Sequence, residues 1–286
     1  MTNLLKADFR RLLKSNSFKI IGGISLGMIL LNLGLVWLLF VMLDFEEASN
    51  ISISSLMGTL GSNVISTVSI SSLGLFVAIA IGIFNSRDFG ENTIRNKITA
   101  GYSRTEIYFS ALIVNLVMFA ILFVSNAIFA ALLGLIFCEI SISTFFFLDL
   151  LMMFLVGAAF SCIISFFSFV SQNLAGPLVF GILSCQFLTL ISSVISQFYF
   201  EFYFNSVMGG GFVNYIFLGI LTRINLFAMD GVIFSLPEFI DMLAGAYSGS
   251  ELYFSMWYVN IFATSVVWGG GFAALGIPAF RKKDIK

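Results

Sequence analysis

The residue types that most often carry out enzymatic chemistry are scarce in this sequence. Its 286 residues include no histidine, which removes the commonest general base and the commonest metal ligand. The three cysteines, Cys138, Cys162 and Cys185, lie in or beside apolar runs without a C-x-x-C spacing, so helix packing explains them better than metal or redox work. The one adjacent acid pair, Glu46 and Glu47, has no basic or ligand partner nearby and is expected to be solvated.

A nucleotide-binding loop is also missing from the sequence. The pattern G-x-x-x-x-G-K-[ST], which cradles phosphates, does not occur. The apolar runs contain almost no ionisable residues, Asp149 near one end being the nearest exception. Transporters driven by ions or protons normally keep such groups at mid-membrane. We therefore expect a chain that is not itself an enzyme and holds no cofactor, so that any ATP and Mg would be bound by a separate subunit.

The composition indicates an all-α protein embedded in a membrane. Hydrophobic residues make up 59% of the chain and charged residues 10%, and the mean hydropathy is +1.04. Ordinary soluble domains carry roughly a quarter charged residues. A helix needs ~20 apolar residues to cross a bilayer. We predict a single domain, residues 1–286, with six spans at residues 20–43, 64–84, 108–137, 145–170, 174–197 and 254–280.

The basic residues indicate the orientation of these spans. All but one of the 14 Lys and Arg residues, Arg223, lie before the first span, between the second and third spans, or in the carboxyl-terminal tail. Six spans place these three segments on the same side, while most acids fall on the other side. Basic residues favour the cytoplasmic side of a membrane. We therefore predict a multi-pass plasma-membrane protein with both termini in the cytoplasm.

Two further segments are predicted at the membrane surfaces. Residues 1–19 contain an amphipathic helix over residues 4–17, expected to lie in the inner interface with its cations among lipid phosphates. Leu5, Phe9 and Leu12 line one of its sides, and Lys6, Arg10 and Lys14 line another. A plain positive-inside anchor is the alternative.

The segment between the fifth and sixth spans, residues 198–253, is too long for a tight turn and is rich in Phe, Ile and Leu. Residues 209–211 are three glycines that break it early, and Arg223 interrupts a short apolar run. We predict a re-entrant outer segment built from short helices. A seventh full span is the alternative, but it would place the four cations of the tail outside the cell.

The longest strongly polar interruption of the chain is the loop at residues 85–107. Within it, Thr93–Thr99 is expected to form a short helix with Ile94 and Ile98 on one face and Arg95 and Lys97 elsewhere on its surface. Gly101 can end this helix in a left-handed conformation. Ser103 and Glu106 have the spacing of a capping box at the start of the next helix. A loop with a helix, a stop signal and a capping box is more ordered than a simple connection needs to be. This order suggests a surface on which a partner docks.

Small residues at helical spacing offer places where two helices could approach closely. Gly23 and Gly27 lie in the first span, and Gly176 and Gly181 flank Pro177 in the fifth. Packing within the chain and packing between two subunits are both open for these four glycines. Three consecutive glycines, residues 269–271, are compatible with either a bend or close packing in the last span.

Together these features resemble the ABC type-2 transporter permeases, which are membrane subunits of bacterial ATP-driven exporters. The resemblance covers essentially the whole chain and rests on the amphipathic start LLKADFRRLLKSNSFKI, the loop RDFGENTIRNKITAGYSRTEIYFSALI and the tail FRKKD. Within the family the chain looks most like permeases for lantibiotic or bacitracin self-protection and for amphipathic-peptide export. It departs from the family pattern at Glu91-Asn92-Thr93, where Gly-Thr is commoner.

The resemblance implies a coupling helix at about residues 91–100 that rests in a groove of a cytoplasmic ATPase subunit. It also implies a second permease subunit, identical or related, and export of a hydrophobic or amphipathic substrate, such as an antimicrobial peptide. Nucleic acid is not an expected partner. A stand-alone immunity or scaffold protein that sequesters an antimicrobial is the alternative, and an intramembrane enzyme is disfavoured by the missing histidine. The residues expected to contact the ATPase are Glu91, Thr93, Ile94, Arg95, Lys97, Ile98 and Arg104.

Overall fold

A computed structural model describes residues 2–42, 60–137, 146–191, 194, 225–226 and 250–282, and the regular elements among these residues are helices. In chain order they are α1 (Thr2–Lys14), α2 (Asn16–Met42), α3 (Leu60–Val68), α4 (Ile70–Gly90), α5 (Thr93–Thr99), α6 (Arg104–Phe137), α7 (Phe146–Ser171), α8 (Ala175–Ile182) and α9 (Ser250–Lys282), with a π-helical turn at Leu183–Leu188 directly after α8.

Within the described part of the chain, five helical stretches are long and apolar enough to cross a membrane, which makes the chain a multi-pass membrane protein. They correspond to five of the six predicted spans. The predicted span at residues 174–197 begins with a shorter apolar helix, Ala175–Ile191, and most of the residues after it lie outside the described part, so the sixth span stays a prediction. The five stretches are Asn16–Leu35, Ser62–Gly90, Arg104–Ile136, Phe146–Ser171 and Tyr258–Lys282.

The buried core lies between α4, α6 and α7. Leu73, Val77 and Ile81 recur on one face of α4 at helical spacing and are buried, as are Val156 and Phe160 on α7. In contrast, α2 exposes most of its apolar side chains. In a bilayer such exposure carries no hydrophobic cost, because lipid tails are as apolar as the side chains that face them.

Glycines let several helices approach within backbone contact distance. A Cβ on Gly181 would lie 2.5 Å from the Cβ of Ala78 on α4, and one on Gly176 would lie 2.3 Å from the Cβ of Ser171. These two glycines therefore serve packing within the chain. A Cβ on Gly23 or Gly27 would meet no described residue within 4 Å, so a role for this pair between subunits stays a prediction.

The glycines at residues 269–271 lie inside one continuous helix, α9, and the first of them is a site of close packing. A Cβ on Gly269 would lie 3.1 Å from the Cα of Ala159 on α7. Gly270 and Gly271 face open space. Of the two possibilities that the sequence left open, close packing therefore applies to Gly269.

The second predicted span, residues 64–84, is not one continuous helix. It is interrupted at Ser69, where φ is −64° and ψ is 159°, so that α3 and α4 are separate elements. Hydroxyl groups satisfy backbone carbonyls around the break: Ser72 Oγ donates to the carbonyl oxygen of Ser66 at 2.6 Å, and Ser69 Oγ donates to the same carbonyl at 2.9 Å. Irregular backbone at membrane depth is tolerated only where such partners exist.

The predicted re-entrant segment, residues 198–253, lies almost wholly outside the described part of the chain. Within it the structure describes Asn225, Leu226, which is buried, and the first residues of α9. The re-entrant arrangement thus stays a prediction.

Close packing at Gly269 can be tested against its neighbour in the sequence. We expect Gly269→Leu to destabilise the protein by about 1–3 kcal/mol, since the added side chain overpacks the contact with α7. Gly270→Leu introduces the same side chain at an adjacent position that faces open space. The measurement is the free energy of unfolding of the detergent-solubilised protein, and equal effects of the two substitutions would contradict the close packing.

Candidate functional site

The loop between α4 and α6 is held in shape by its own end structures. Gly101 has a φ of +89°, and the amides of Gly101 and Tyr102 donate to the carbonyl oxygens of Ile98 and Lys97 at 2.9 and 3.2 Å. These two bonds are the Schellman pattern that ends a helix in a left-handed residue. The predicted stop of α5 at Gly101 is confirmed.

The start of α6 has the predicted capping box. The backbone amide of Glu106 donates to Ser103 Oγ at 3.2 Å, and the amide of Ser103 donates to Glu106 Oε2 at 2.9 Å. Each residue satisfies an amide that would otherwise lack a partner. The short helix α5 is therefore fixed at its carboxyl end by its stop signal and by the cap of the helix that follows.

The inward face of α5 is apolar and packs against the protein itself. Ile94 is buried in the same cluster as Leu4 of α1, Tyr108 of α6 and Phe280 of α9, and Ile98 packs at its edge. An aromatic layer, defined as Phe89, Tyr108, Phe169 and Phe280, adds ring contacts between the ends of four helices, with centroid distances from 5.1 to 6.4 Å. Ile94 is thus an internal contact of α5.

Lys97 does not lie on the surface, so its predicted placement there is wrong. Its side chain is buried, and Nζ donates to Asp8 Oδ1 at 2.8 Å and to Asp88 Oδ2 at 3.3 Å. Arg11 pairs with the other oxygen of Asp88, and Ser110 Oγ donates to Asp8 Oδ2 at 2.8 Å. We call Asp8, Arg11, Asp88 and Lys97 the ion-pair cluster. It joins α1, the end of α4, and α5.

The ion-pair cluster contains two carboxylates and two cations, so its formal charge is zero. A buried charge is costly unless it is paired and hydrogen-bonded, and each carboxylate here meets at least two donors. The sequence did contain a sign of this arrangement. Leu4, Asp8 and Leu12 follow one another at helical spacing and all three are buried, so an acid interrupts the apolar face of α1.

The outward face of α5 is available for contact with a partner. Among the residues predicted to dock, Glu91 and Arg95 are exposed and Thr93 is partly exposed. Two residues that were not predicted, Asn96 and Thr99, are exposed on the same short helix. The structure therefore divides the predicted docking residues into an outward group, which includes Glu91 and Arg95, and an inward group, which comprises Ile94 and Lys97.

Arg104 serves as a tie to the last helix. Its Nη1 donates to the carbonyl oxygen of Arg281 at 3.0 Å, and Arg281 Nη2 donates to Thr105 Oγ1 at 3.0 Å. The end of α9 is thereby fastened to the beginning of α6. Together with the ion-pair cluster, these bonds bring α1, the loop between α4 and α6, and the end of α9 to one end of the molecule.

A second feature lies deeper among the spans. A cleft of about 540 Å³ opens between α2, α3, α4, α6 and the π-helical turn. We call it the polar cleft, because uncharged polar side chains alternate with apolar ones along its walls. Its polar residues are Ser25, Asn32, Asn63, Ser66, Thr67, Ser71, Ser72, Asn126 and Gln186.

Both helix irregularities border the polar cleft. The break at Ser69 supplies the serines at its edge, and the π-helical turn supplies Gln186. Breaks and π-turns in membrane helices often mark functional sites. Asn126 Nδ2 donates to Ser25 Oγ at 3.1 Å across the wall, while the buried Nδ2 of Asn63 has no hydrogen-bond partner among the described residues.

Comparison with known proteins does not extend this picture. No protein-family model matches the chain, and a search of curated proteins returns no match. The likeness to ABC type-2 permeases therefore stays a prediction from sequence motifs. The function has to be inferred from two features of the structure, namely the anchored helix α5 and the polar cleft.

The ion-pair cluster generates a prediction for stability. We expect Lys97→Met to destabilise the protein by about 3–5 kcal/mol, because it leaves Asp8 and Asp88 buried with one cation between them. Arg95→Met is the matched control: it removes a cation from the exposed face of the same helix and should change stability by less than about 0.5 kcal/mol. The measurement is again the free energy of unfolding in detergent.

A double variant isolates the charge imbalance from lost packing. Asp8→Asn combined with Lys97→Met restores the neutrality of the ion-pair cluster and should recover part of the loss caused by Lys97→Met alone. Additive destabilisation in the double variant would show that Lys97 and Asp8 are not coupled.

Proposed function

We propose that this chain is the membrane permease subunit of an ATP-driven ABC exporter, and that α5 is its coupling helix. The observation that carries the proposal is the anchoring of α5. Its inward face is joined to α1 and α4 through Lys97 and to the ends of α6, α7 and α9 through the cluster around Ile94. Its outward face is exposed.

This arrangement suits the transmission of force. A helix pushed from outside moves other helices only if it is attached to them, and rigid packed elements with paired charges are the means by which displacement travels through proteins. A push on the exposed face of α5 would be carried by Lys97 to α1 and α4. Ile94 would carry it to the aromatic layer. A loop without these ties would be displaced alone.

The expected assembly follows from the absence of a nucleotide-binding loop in this sequence and from the distribution of charge. The basic end of the molecule would face the cytoplasm, where a separate ATPase subunit binds ATP and Mg and contacts Glu91, Arg95 and Thr99. A second permease subunit, identical or related, would complete the complex, with Gly23 and Gly27 on α2 as candidate contacts. The membrane would be the plasma membrane.

The polar cleft is the candidate substrate site. Its described lining residues offer amides and hydroxyls beside Leu, Met and Phe side chains, and none of these lining residues is charged. Such a surface matches a ligand with both polar backbone groups and apolar side chains, as an amphipathic peptide has.

Docking can be tested on the exposed face of α5 without disturbing its anchors. We expect Arg95→Glu combined with Thr99→Glu to reduce co-purification of the ATPase by at least about tenfold, since the contact loses its cation and gains two carboxylates that have to be desolvated. Lys6→Glu combined with Ala7→Glu on the exposed side of α1 is the control, because it changes the net charge by the same amount at the same end of the molecule. The measurement is the amount of ATPase recovered with tagged permease from native membranes.

Two outcomes would oppose the proposal. Undiminished recovery of the ATPase with the double variant would remove α5 as the docking helix. Protection of cells against an antimicrobial that persists when the ATPase no longer binds would favour the alternative, a membrane protein that sequesters its target without transport. Substitution of Ile94 by Asp is not a test of docking, because the side chain is buried and its replacement would damage the fold.

The polar cleft generates a separate prediction for substrate recognition. We expect Asn32→Leu with Gln186→Leu to raise the half-maximal peptide concentration for ATPase stimulation about tenfold, because two hydrogen-bonding groups are lost. Ser125→Leu on α6, outside the cleft, is the control. The assay uses permease and ATPase reconstituted in vesicles with a peptide that stimulates the wild-type complex, and an unchanged response of the double variant would exclude this cleft as the site.

A further inference from the structure

A second pocket lies at the basic end of the molecule, beside the ion-pair cluster. Its volume is about 390 Å³, and it is enclosed by the turn between α1 and α2, the last turns of α4 and one residue of α6. We call it the basic pocket. Its polar side is formed by Arg11, Lys14, Ser15, Asn16, Ser17, Arg87 and Glu91, and its apolar side by Phe18, Ile21, Ala80, Ile83, Phe84 and Met118.

The charges of the basic pocket are not balanced by the protein. Arg11 belongs to the ion-pair cluster, which is neutral as a group. Of the remaining charged residues of the lining, Lys14 and Arg87 are cations and Glu91 is an acid, which leaves one positive charge in excess. Both cations are exposed, and Arg87 Nη2 donates to an uncharged group, Ser17 Oγ, at 2.9 Å.

The guanidinium of Arg11 is fixed by contacts within the protein. The Nη2 atom of Arg11 is buried and has no hydrogen-bond partner among the described residues, although Nη1 of the same guanidinium is paired with Asp88. The guanidinium is held in place over the ring of Phe84, with 4.4 Å from Cζ to the ring centroid. Because the Nη2 atom has almost no accessible surface, a ligand in the pocket would instead meet the exposed cations Lys14 and Arg87.

The position of the pocket decides between possible oxygen ligands. Its polar side is formed by the turn between α1 and α2 and by the last turn of α4. Its apolar side continues into the spans at Ile21 and Ile83. Beside it, Ile20 and Ile24 of α2 are exposed and would face lipid tails. A molecule that fills both sides has a phosphate at one end and hydrocarbon at the other. A free phosphate ion would leave the apolar side uncovered.

We propose that the basic pocket binds an anionic phospholipid. The phosphate would accept hydrogen bonds from Lys14 and Arg87, and an acyl chain would lie along the apolar side. An anionic lipid matches the excess positive charge of the pocket. A zwitterionic lipid would add the positive charge of its choline to a site that already has one unbalanced cation. The proposal rests on the basic pocket alone and stands or falls independently of ATP-driven transport.

The test is a lipid titration of the full-length protein in detergent, followed by native mass spectrometry. We expect phosphatidylglycerol to bind at least about tenfold more tightly than phosphatidylcholine with the same acyl chains. Lys14→Gln with Arg87→Gln should abolish that preference. The matched control, Lys6→Gln with Arg10→Gln, also removes two exposed cations from the same end of the molecule but spares the basic pocket.

The outcomes distinguish specific binding in the basic pocket from a general attraction of anionic lipid to exposed cations. Loss of the preference in the pocket variant but not in the control supports the proposal. Equal loss in both variants, or no loss in either, overturns it. Displacement of phosphatidylglycerol by millimolar inorganic phosphate would also overturn it, because the pocket would then recognise a phosphate ion without its hydrocarbon. Unchanged melting temperatures of the lipid-free variants confirm that folding is retained.

Discussion

The buried amine of Lys97 imposes the strongest constraint on this structure. Removing an ammonium group from water costs several kcal/mol even after the protein relaxes, so the position is tolerated only with carboxylates in contact. One of those carboxylates comes from α1 and the other from the end of α4. Three segments that are separate along the chain must therefore meet in one geometry. Because Arg11 balances the second carboxylate, the group is neutral, and α5 is fixed in place beneath the ends of the spans.

The basic end of the described structure and the region deeper among the spans differ in how regular their helices are. At the basic end, capping bonds, paired charges and the aromatic layer leave little freedom to the helix termini. Deeper among the spans, α4 is separated from α3 by an extended residue, and α8 passes into a π-helical turn. Interrupted helices are the places where membrane proteins can change shape at modest cost. The proposed coupling through α5 rests on this contrast between a firmly bonded end and interrupted helices among the spans.

Much of the local structure could be predicted because it depends on neighbours in the sequence. Gly101 ends α5, and Ser103 with Glu106 begins α6, through bonds that span three to five residues. Five of the six predicted spans were found among the described residues, because a bilayer accepts any apolar run of sufficient length. The break at Ser69 was missed, since serine hydroxyls can bond to the carbonyls of a continuous helix as readily as to those of a broken one.

By itself, the sequence determined the class of the protein, the segments in which its basic residues collect, and the signals that shape its central loop. These properties follow from composition and from short-range bonds. Only the tertiary structure decided that Lys97 is buried while Arg95 remains exposed, because these residues differ in what α1 and α4 bring to them rather than in their own chemistry. The same holds for Gly23 and Gly181, alike in sequence terms, of which only the second meets another helix. Contacts between distant segments depend on the path of the whole chain, and no local pattern encodes that path.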